Sequence, residues 1–347
     1  MRVHRPRPLT TAPTVSVVIP CYNYGRYLPD AVASALDQNG LDVRVLIVDD
    51  ASTDGSADVA RALTRADSRV DVLVHETNRG HIATYNDGLA LADGDYVVLL
   101  SADDLLMPGS LTRSVALMEA HRDVVLVYGL PTDFTDEPPT RRDAREWWST
   151  WSGEAWIRRT CARGRNIIVN PEVVLRGDAM RELVGYSPAH PHAADMELWM
   201  RAACRGRVGR VNGPVQAAYR VHGSNMHVTT YGALSTDAEA VRAVFDDFFG
   251  LTGDGRALPH RRRLHSRSAR ALAAEAVLAT GRRDLPQAER TALARFARET
   301  WPEVTNGLRW RTHRPDAPTT RSRAVLLHRL EQVRWALRWQ RWQRIGT

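Results

Sequence analysis

The stretch Val15-Ser16-Val17-Val18-Ile19-Pro20-Cys21-Tyr22-Asn23 sets the reading of the whole chain. Val15–Ile19 is β-branched and apolar apart from Ser16, has the length of a buried strand, and is too short for a signal-peptide core. The turn that follows, Pro20 to Asn23, would place the Tyr22 ring at the mouth of a sheet. Further along, Val43–Val48, Val70–Val74, Tyr96–Leu100 and Val124–Tyr128 have the same character. Between them Arg26–Gln38, Gly55–Ala66, His81–Ala92 and Gly109–His121 carry apolar residues at helical spacing. This alternation predicts an α/β fold with a mostly parallel sheet covered on both faces. Ligands of such sheets bind beyond the carboxyl ends of the strands, so the residues just after each strand are the first candidates for chemistry.

Three strand ends present a coherent set. The first is Pro20-Cys21-Tyr22, the second Asp49-Asp50-Ala51-Ser52-Thr53-Asp54-Gly55, and the third, after Tyr96–Leu100, Ser101-Ala102-Asp103-Asp104. Parallel strands would bring three or four carboxylates and a flat ring into one crevice. Carboxylates so concentrated repel unless a cation neutralises them, and Mg²⁺ or Mn²⁺ completed by substrate phosphates is the usual solution. Helix capping is the competing explanation. It suits Asp54 and Ser52, which precede a helix, better than the adjacent pairs, because a cap needs one acceptor.

The chain has 347 residues, 25% charged and 44% hydrophobic, with a mean hydropathy of -0.35. That composition excludes collagen, a disulfide miniprotein and wholesale disorder. No stretch approaches the roughly 18 apolar residues of a membrane-spanning helix. Cys21, Cys161 and Cys204 are too few and too scattered for a disulfide framework or a zinc knuckle, so the expected compartment is reducing and cytoplasmic. Residues 1–250 hold 26 Arg against 32 acids, a net of −6, and residues 251–347 hold 21 Arg against 8 acids, a net of +13. There is no Lys. An acidic body with a basic tail points to an anion-facing C-terminal region.

The rhythm breaks over Pro131–Arg163, which contains Trp147, Trp148, Trp151 and Trp156, and resumes with a strand-like Ile167–Val169 and a helix-like Asp195–Arg205. From about Ser235 the pattern is helical, through Phe245–Leu251, Arg261–Leu278, Gln287–Trp301 and Arg321–Arg344, with Gly and Pro between them. The expected domains are therefore residues 1–235 and 236–347. In the last helix Leu326, Leu330, Val333 and Leu337 recur at helical spacing, as do Trp335, Trp339 and Trp342, beside seven Arg and only Glu331 as an acid. Such a helix either lies on an anionic membrane surface or packs on the catalytic domain or on a second subunit.

Several of these segments together resemble a known family. Val15–Asn23 followed by Val48-Asp49-Asp50-Ala51-Ser52-Thr53-Asp54-Gly55-Ser56 is similar to the opening of family-two nucleotide-sugar glycosyltransferases with the GT-A fold, a Rossmann-like sheet. Asn78-Arg79-Gly80, Asn86-Asp87-Gly88 and Gly94-Asp95-Tyr96 resemble the family's next block. Ser101–Pro108 resembles its acidic metal motif, Ala194–Arg201 the helix of its catalytic base, and Tyr219-Arg220-Val221-His222 the strand that closes its site. These matches run in order over roughly residues 13–225, and the final third of the chain lies outside them.

The resemblance implies roles. Pro20 and Tyr22 would flank the nucleotide base, with Tyr22 stacked on it. Asp50 would accept a hydrogen bond from the base, which favours a UDP- or dTDP-linked donor. Asp103 would hold the ribose or the metal, Asp104 the Mn²⁺ or Mg²⁺ that bridges the diphosphate, and His222 would contact the metal or phosphates. Asp195 would deprotonate the acceptor hydroxyl in a single, inverting displacement. Arg220 would pair the diphosphate or satisfy an acid of the body. The Trp-rich segment falls where this fold builds its acceptor pocket, although tryptophans also fill cores. Ser101 and Ala194 stand where many members carry acids. The implied partners are a nucleotide sugar and a glycan, lipid-linked or small-molecule acceptor. Membrane contact at the periphery of the inner face, or a homodimer through the C-terminal helices, is the further expectation. Nucleic acid is not expected, because the basic excess lies outside the motif-bearing region and no nucleic-acid module is present. A nucleotidyltransferase would place a Gly-rich basic loop where this chain has Pro-Cys-Tyr-Asn, and a silent sugar-binding protein would have no need to retain Asp103, Asp104 and Asp195.

Overall fold

Runs of Val and Ile form the strands on which everything else is mounted. The computed structural model describes residues 1–139, 144–168, 171, 173–223, 225, 233–282, 284–315, 330, 333 and 336–343. They fall into two compact units, Met1–Ala155 with Ile168–His222, and Trp156–Ile167 with Gly223–Thr347. The first unit thus closes at His222, short of the expected boundary at 235/236, and Trp156–Ile167 goes with the second.

In the first unit the elements are β1 (Arg2–His4), β2 (Thr14–Cys21), α1 (Leu28–Leu36), β3 (Asp42–Asp49), α2 (Ser56–Ala66), β4 (Val70–Val74), α3 (His81–Leu91), β5 (Tyr96–Leu99), β6 (Leu105–Leu106), α4 (Ser110–Ala120), β7 (Val124–Phe134) and β8 (Trp147–Trp151). Helix α5 (Gly153–Arg163) crosses into the second unit, and β9 (Val174–Arg176), α6 (Gly177–Leu183), α7 (Ala194–Arg205) and β10 (Arg207–Arg220) complete the first. The strand order is β1-β8-β10-β7-β9-β5-β2-β3-β4, with β6 paired to β10. Strands β5, β2, β3 and β4 are parallel, as expected of this alternation. Beyond β5 the sheet is mixed. The short β9 runs antiparallel to both β5 and β7, and β10 is parallel to β7 but antiparallel to β8. The chain moves outward from β2 through β3 to β4, then returns to the other side of β2 with β5. That reversal is the switch point at which α/β sheets open a crevice beyond their carboxyl ends.

The period of two in β2 divides its side chains between two layers. Val15, Val17, Ile19 and Cys21 join a core with Leu28, Ala31 and Val32 of α1 and with Leu111 and Val115 of α4. Val18 faces the other way, toward α3, and there Gly88 lets the helix come close. A Cβ at Gly88 would lie 2.4 Å from Val18 Cγ1 and 2.9 Å from Val48 Cγ2. Both valines are fully buried and stiff at χ1. Gly88→Ala gains about 1 kcal/mol in helix propensity but overpacks this seam, which costs up to about 3 kcal/mol. We expect a net loss of about 1–2 kcal/mol, seen as a lower urea midpoint. An unchanged or higher midpoint would mean that α3 rides on the sheet more loosely than this contact implies.

The tryptophan-rich segment forms strand β8 and the start of α5. Trp148, Trp151 and Trp156 are buried, so these three fill core and do not line a pocket. The basic N-terminus supplies β1, which pairs antiparallel with β8.

In the second unit α8 (Leu234–Phe248), α9 (Arg261–Thr280), α10 (Gln287–Thr300) and α11 (Leu308–His313) follow the helical period of the sequence. Val244, Phe245, Leu264, Leu272, Val277, Leu293 and Phe296 are among its buried apolar residues. Leu330, Val333 and residues 336–343 are also helical. The rest of the expected helix Arg321–Arg344, including Leu326, Glu331 and Trp335, lies outside the described residues, as does Val169. Ile167 and Ile168 are not in a strand. No helix among the described residues is long and apolar enough to cross a membrane.

Candidate active site

The loops after β2 and β3 lock each other at the switch point. Asn23 and Ala51 both adopt left-handed backbone, at φ 58 and 56, a conformation that costs non-glycine residues energy and concentrates at functional sites. The amide of Asn23 donates to Ser52 Oγ at 2.9 Å, and the amide of Thr53 donates to Asn23 Oδ1 at 2.8 Å. The Asp50 amide donates to the Cys21 carbonyl at 2.9 Å. Pro20 thus closes β2 in register with Val48, and Tyr22 stands half exposed just beyond it. Asp54 accepts hydrogen bonds from the amide and hydroxyl of Ser56 at the start of α2, one residue before the N-cap Gly55.

Asp50, only 3% exposed, grips the start of α3. Its Oδ1 accepts from the Arg79 amide at 2.7 Å and lies 2.8 Å from His75 Nδ1, and its Oδ2 accepts from the Gly80 amide at 2.9 Å. Burial alone would raise this carboxyl, but the bonds from His75, Arg79 and Gly80 outweigh it and hold it below the usual carboxylate range. Asp50 therefore has a structural duty that its sequence position does not reveal. His75 extends the chain, with Nε2 3.1 Å from Asp87, which in turn pairs with Arg79. Neither His75 nor Asp87 is a predicted site residue. His75 directly follows β4, so inspection of that strand end as well would find it.

The acidic pair follows β5. Asp104 is 1% exposed, and its Oδ1 accepts from the Arg220 amide at 2.9 Å. Asp103 Oδ2 lies 2.9 Å from His222 Nε2. Local pairing explains how residues so far apart meet: Leu105 and Leu106 of β6 pair with Ala218 and Ala217 of β10, which carries Arg220 and His222 directly to the acids. Arg220 is buried, its guanidinium lying over the rings of Tyr27 and Phe134. It donates from Nε to the Asp103 carbonyl at 3.0 Å and stands 3.6 Å from Asp30. The His222 ring stacks on Tyr27 and meets Tyr24 edge-on. Tyr219 is close enough that burial first, then the charges of Asp104 and Asp103, raise its phenol well above the ordinary range.

Asp195 lies in the first turn of α7, and the loop leading to it is fastened to α3. Asn86 donates to the Tyr186 carbonyl at 2.9 Å and accepts from the Tyr186 amide at 2.7 Å, while His81 Nε2 lies 3.1 Å from the Pro191 carbonyl. Gly185, at φ 79, is needed there because a Cβ would fall 2.2 Å from Asn86 Oδ1. Arg201 pairs with Glu197 at 2.7 Å and donates to the carbonyls of Leu183 and Gly185. The buried Tyr186 phenol is raised by desolvation and then by the negative charge of Asp195 beside it. Asp50 thus holds the two amides just before α3, and α3 meets the Asp195 loop through His81 and Asn86.

Among the described residues no three His, Cys, Asp or Glu side chains form a ready metal cage. The donor chemistry of Asp103, Asp104 and His222 nevertheless fits a partial set.

The sequence model of glycosyl transferase family 2 matches residues 16–172. The putative teichuronic acid biosynthesis glycosyltransferase TuaG of Bacillus subtilis is 38% identical over 106 residues, 30% of this chain and 42% of TuaG. The chain spans less than half the length of TuaG and of other curated glycosyltransferases that it matches. Among solved structures, S. aureus TarS 1-349 aligns with a TM-score of 0.60 at 15% identity, covering 93% of this chain and 92% of that one. Its complex with UDP-GlcNAc aligns with a TM-score of 0.54 at 16% identity, over 83% and 88%. The mannosyltransferase PcManGT of Pyrobaculum calidifontis, in complex with GDP-Man and Mn²⁺, gives 0.52 at 18% identity, over 93% and 87%. At these identities the structural likeness speaks for the fold. Residues 16–172 of this chain thus match the model of glycosyl transferase family 2, and the fold is GT-A-like.

Proposed function

We propose that the protein transfers a sugar from a UDP- or dTDP-linked donor to an acceptor hydroxyl, with inversion at the anomeric carbon and with a divalent metal. The observation that carries this reading is the gathering of Asp50, the Asp103–Asp104–His222 set and the Asp195 loop around α3 and the carboxyl ends of β2, β3 and β5.

Tyr22 stacks on the base beyond β2. Asp50, just after β3, would accept the ring N–H of uracil or thymine beside the bonds that fasten it to His75, Arg79 and Gly80. Asp103, Asp104 and His222 would hold Mn²⁺ or Mg²⁺, which when bound with the diphosphate supplies Lewis-acid stabilisation of the leaving group. Arg220 fixes the Asp103 backbone and adds positive charge beside the acids. Asp195 takes the proton from the attacking hydroxyl as the new bond forms. The likeness to TuaG supports a cell-envelope or polysaccharide acceptor.

Ligand-induced stabilisation tests the donor half. A ligand that binds only the native state stabilises it by about 2.7 kcal/mol at 100 times Kd. UDP or dTDP with Mn²⁺ is therefore expected to raise Tm clearly, and the rise should shrink when EDTA replaces the ion. No rise with any nucleoside diphosphate, with or without metal, would overturn the proposal.

A further inference from the structure

The C-terminal helix is fastened to its unit by one side and leaves the other uncovered. Trp342 is buried and donates from Nε1 to the Ile167 carbonyl at 2.9 Å, Trp339 stacks on Trp342 at 5.1 Å between centroids, and Arg338 pairs with Glu275 at 2.6 Å. At 100° per residue, Leu337 projects about 140° away from Trp342. Leu330, Val333 and Leu337 recur on that far side, exposed by 57%, 57% and 62%. Three neighbouring aliphatic residues so open to water on one helix face signal a surface that meets something else.

The charges around the helix indicate what it meets. Arg338 and Arg341 come from this helix, and Arg163 and Arg165 from the end of α5 and the turn after it. Burial and then repulsion from Arg165, Arg338 and Arg341 lower the Arg163 pKa, with Glu275 opposing them. Arg165 stands within charge range of Arg338, Glu275 and Asp237. The four guanidinium groups thus lie within charge range of one another, with Glu275 and Asp237 the described acids that act on them. Residues 251–347 carry a net charge of +13, so the same face of a second copy would bring like charges together. A stable protein interface also uses roughly 20–30 residues a side, far more than this stripe offers. A bilayer of anionic lipids complements both features. Aliphatic side chains sink to the acyl boundary, and arginines reach the phosphates.

We propose that this end of the second unit docks on an anionic membrane surface, with Leu330, Val333 and Leu337 entering the interface and the exposed Arg165 and Arg341 holding lipid phosphates. The enzyme would then work beside lipid-linked acceptors without crossing the bilayer.

Flotation of the full chain tests this. It is expected to rise with phosphatidylcholine vesicles containing phosphatidylglycerol, to stay down with pure phosphatidylcholine, and to be released by salt. Each basic residue near such a surface contributes about 1 kcal/mol, roughly fivefold in binding. Arg165→Gln with Arg341→Gln should therefore weaken partition about 25-fold. Leu330→Ser with Leu337→Ser should weaken it at least about tenfold, with an unchanged melting midpoint because both positions are exposed. The proposal fails if the wild type does not float with anionic vesicles, or if both double variants float as it does. It also fails if the leucine variant dissociates a dimer in sedimentation while flotation is unaltered, which would make the stripe an interface between copies.

Discussion

Asp195→Asn is expected to lower sugar transfer by about 10²–10⁴-fold, the usual worth of a positioned general base, while leaving donor affinity unchanged. The amide keeps the shape of the carboxylate and its place in the first turn of α7. The loop before it remains fastened through Asn86, His81 and Arg201. On the proposed reading, the ability to take the acceptor proton is removed, together with the negative charge beside the Tyr186 phenol. Single-turnover transfer measured beside donor binding separates the outcomes. A parallel loss of donor affinity would make Asp195 a structural or metal residue instead of the base.

Asp104→Ala is expected to abolish turnover and to remove the Mn²⁺ dependence of diphosphate binding. Asp104 is buried and accepts the Arg220 amide, so alanine leaves a buried donor unsatisfied, at about 1–3 kcal/mol. Asp104→Asn is the companion that keeps an acceptor for that amide while discarding the charge. Both variants should lose metal-dependent nucleotide binding, and the asparagine variant should melt near the wild type. Turnover at the wild-type level in either would mean that the acidic pair does not bring the ion to the diphosphate.

The first half of the sheet is legible in the sequence because its strands are runs of Val and Ile, with β2 and β5 buried on both faces. Val15–Ile19 lies inside β2 and Val43–Val48 inside β3, and the helices between them begin and end within two residues of the periodic segments. The second half is harder to read. Strand β10 contains Gly209, Gly213 and Pro214 and shifts register against β7, so no apolar run announces it. Strand β8 is composed of tryptophan, serine and threonine, a composition that serves a pocket or a core equally well. Only pairing with β1 and β10 decides for the core.

Within the site, residue types were legible and duties were not. The adjacent acids at 49–50 and 103–104 stand out in one dimension. That Asp50 holds the start of α3, or that Arg220 lies between Tyr27 and Phe134, depends on partners tens of residues away. His75 is a lone histidine after β4, and only its bond to Asp50 gives it a part in the site.

Strand β10 also dictates when the site comes into being. Asp103 and Asp104 meet Arg220 and His222 across separations of 116 to 119 residues. At a synthesis rate of about 5–20 residues per second, the acids precede their partners by roughly 6–23 s. During that interval the growing chain has also made β7 and β8, yet β10, which is laid between them, does not exist. The apolar flank of β7 must wait as an open edge, the kind of surface on which nascent chains associate wrongly. Ribosome-bound chains ending before Arg207 should therefore be the stage most dependent on chaperones, and donor binding should first appear only in chains whose synthesis has passed His222.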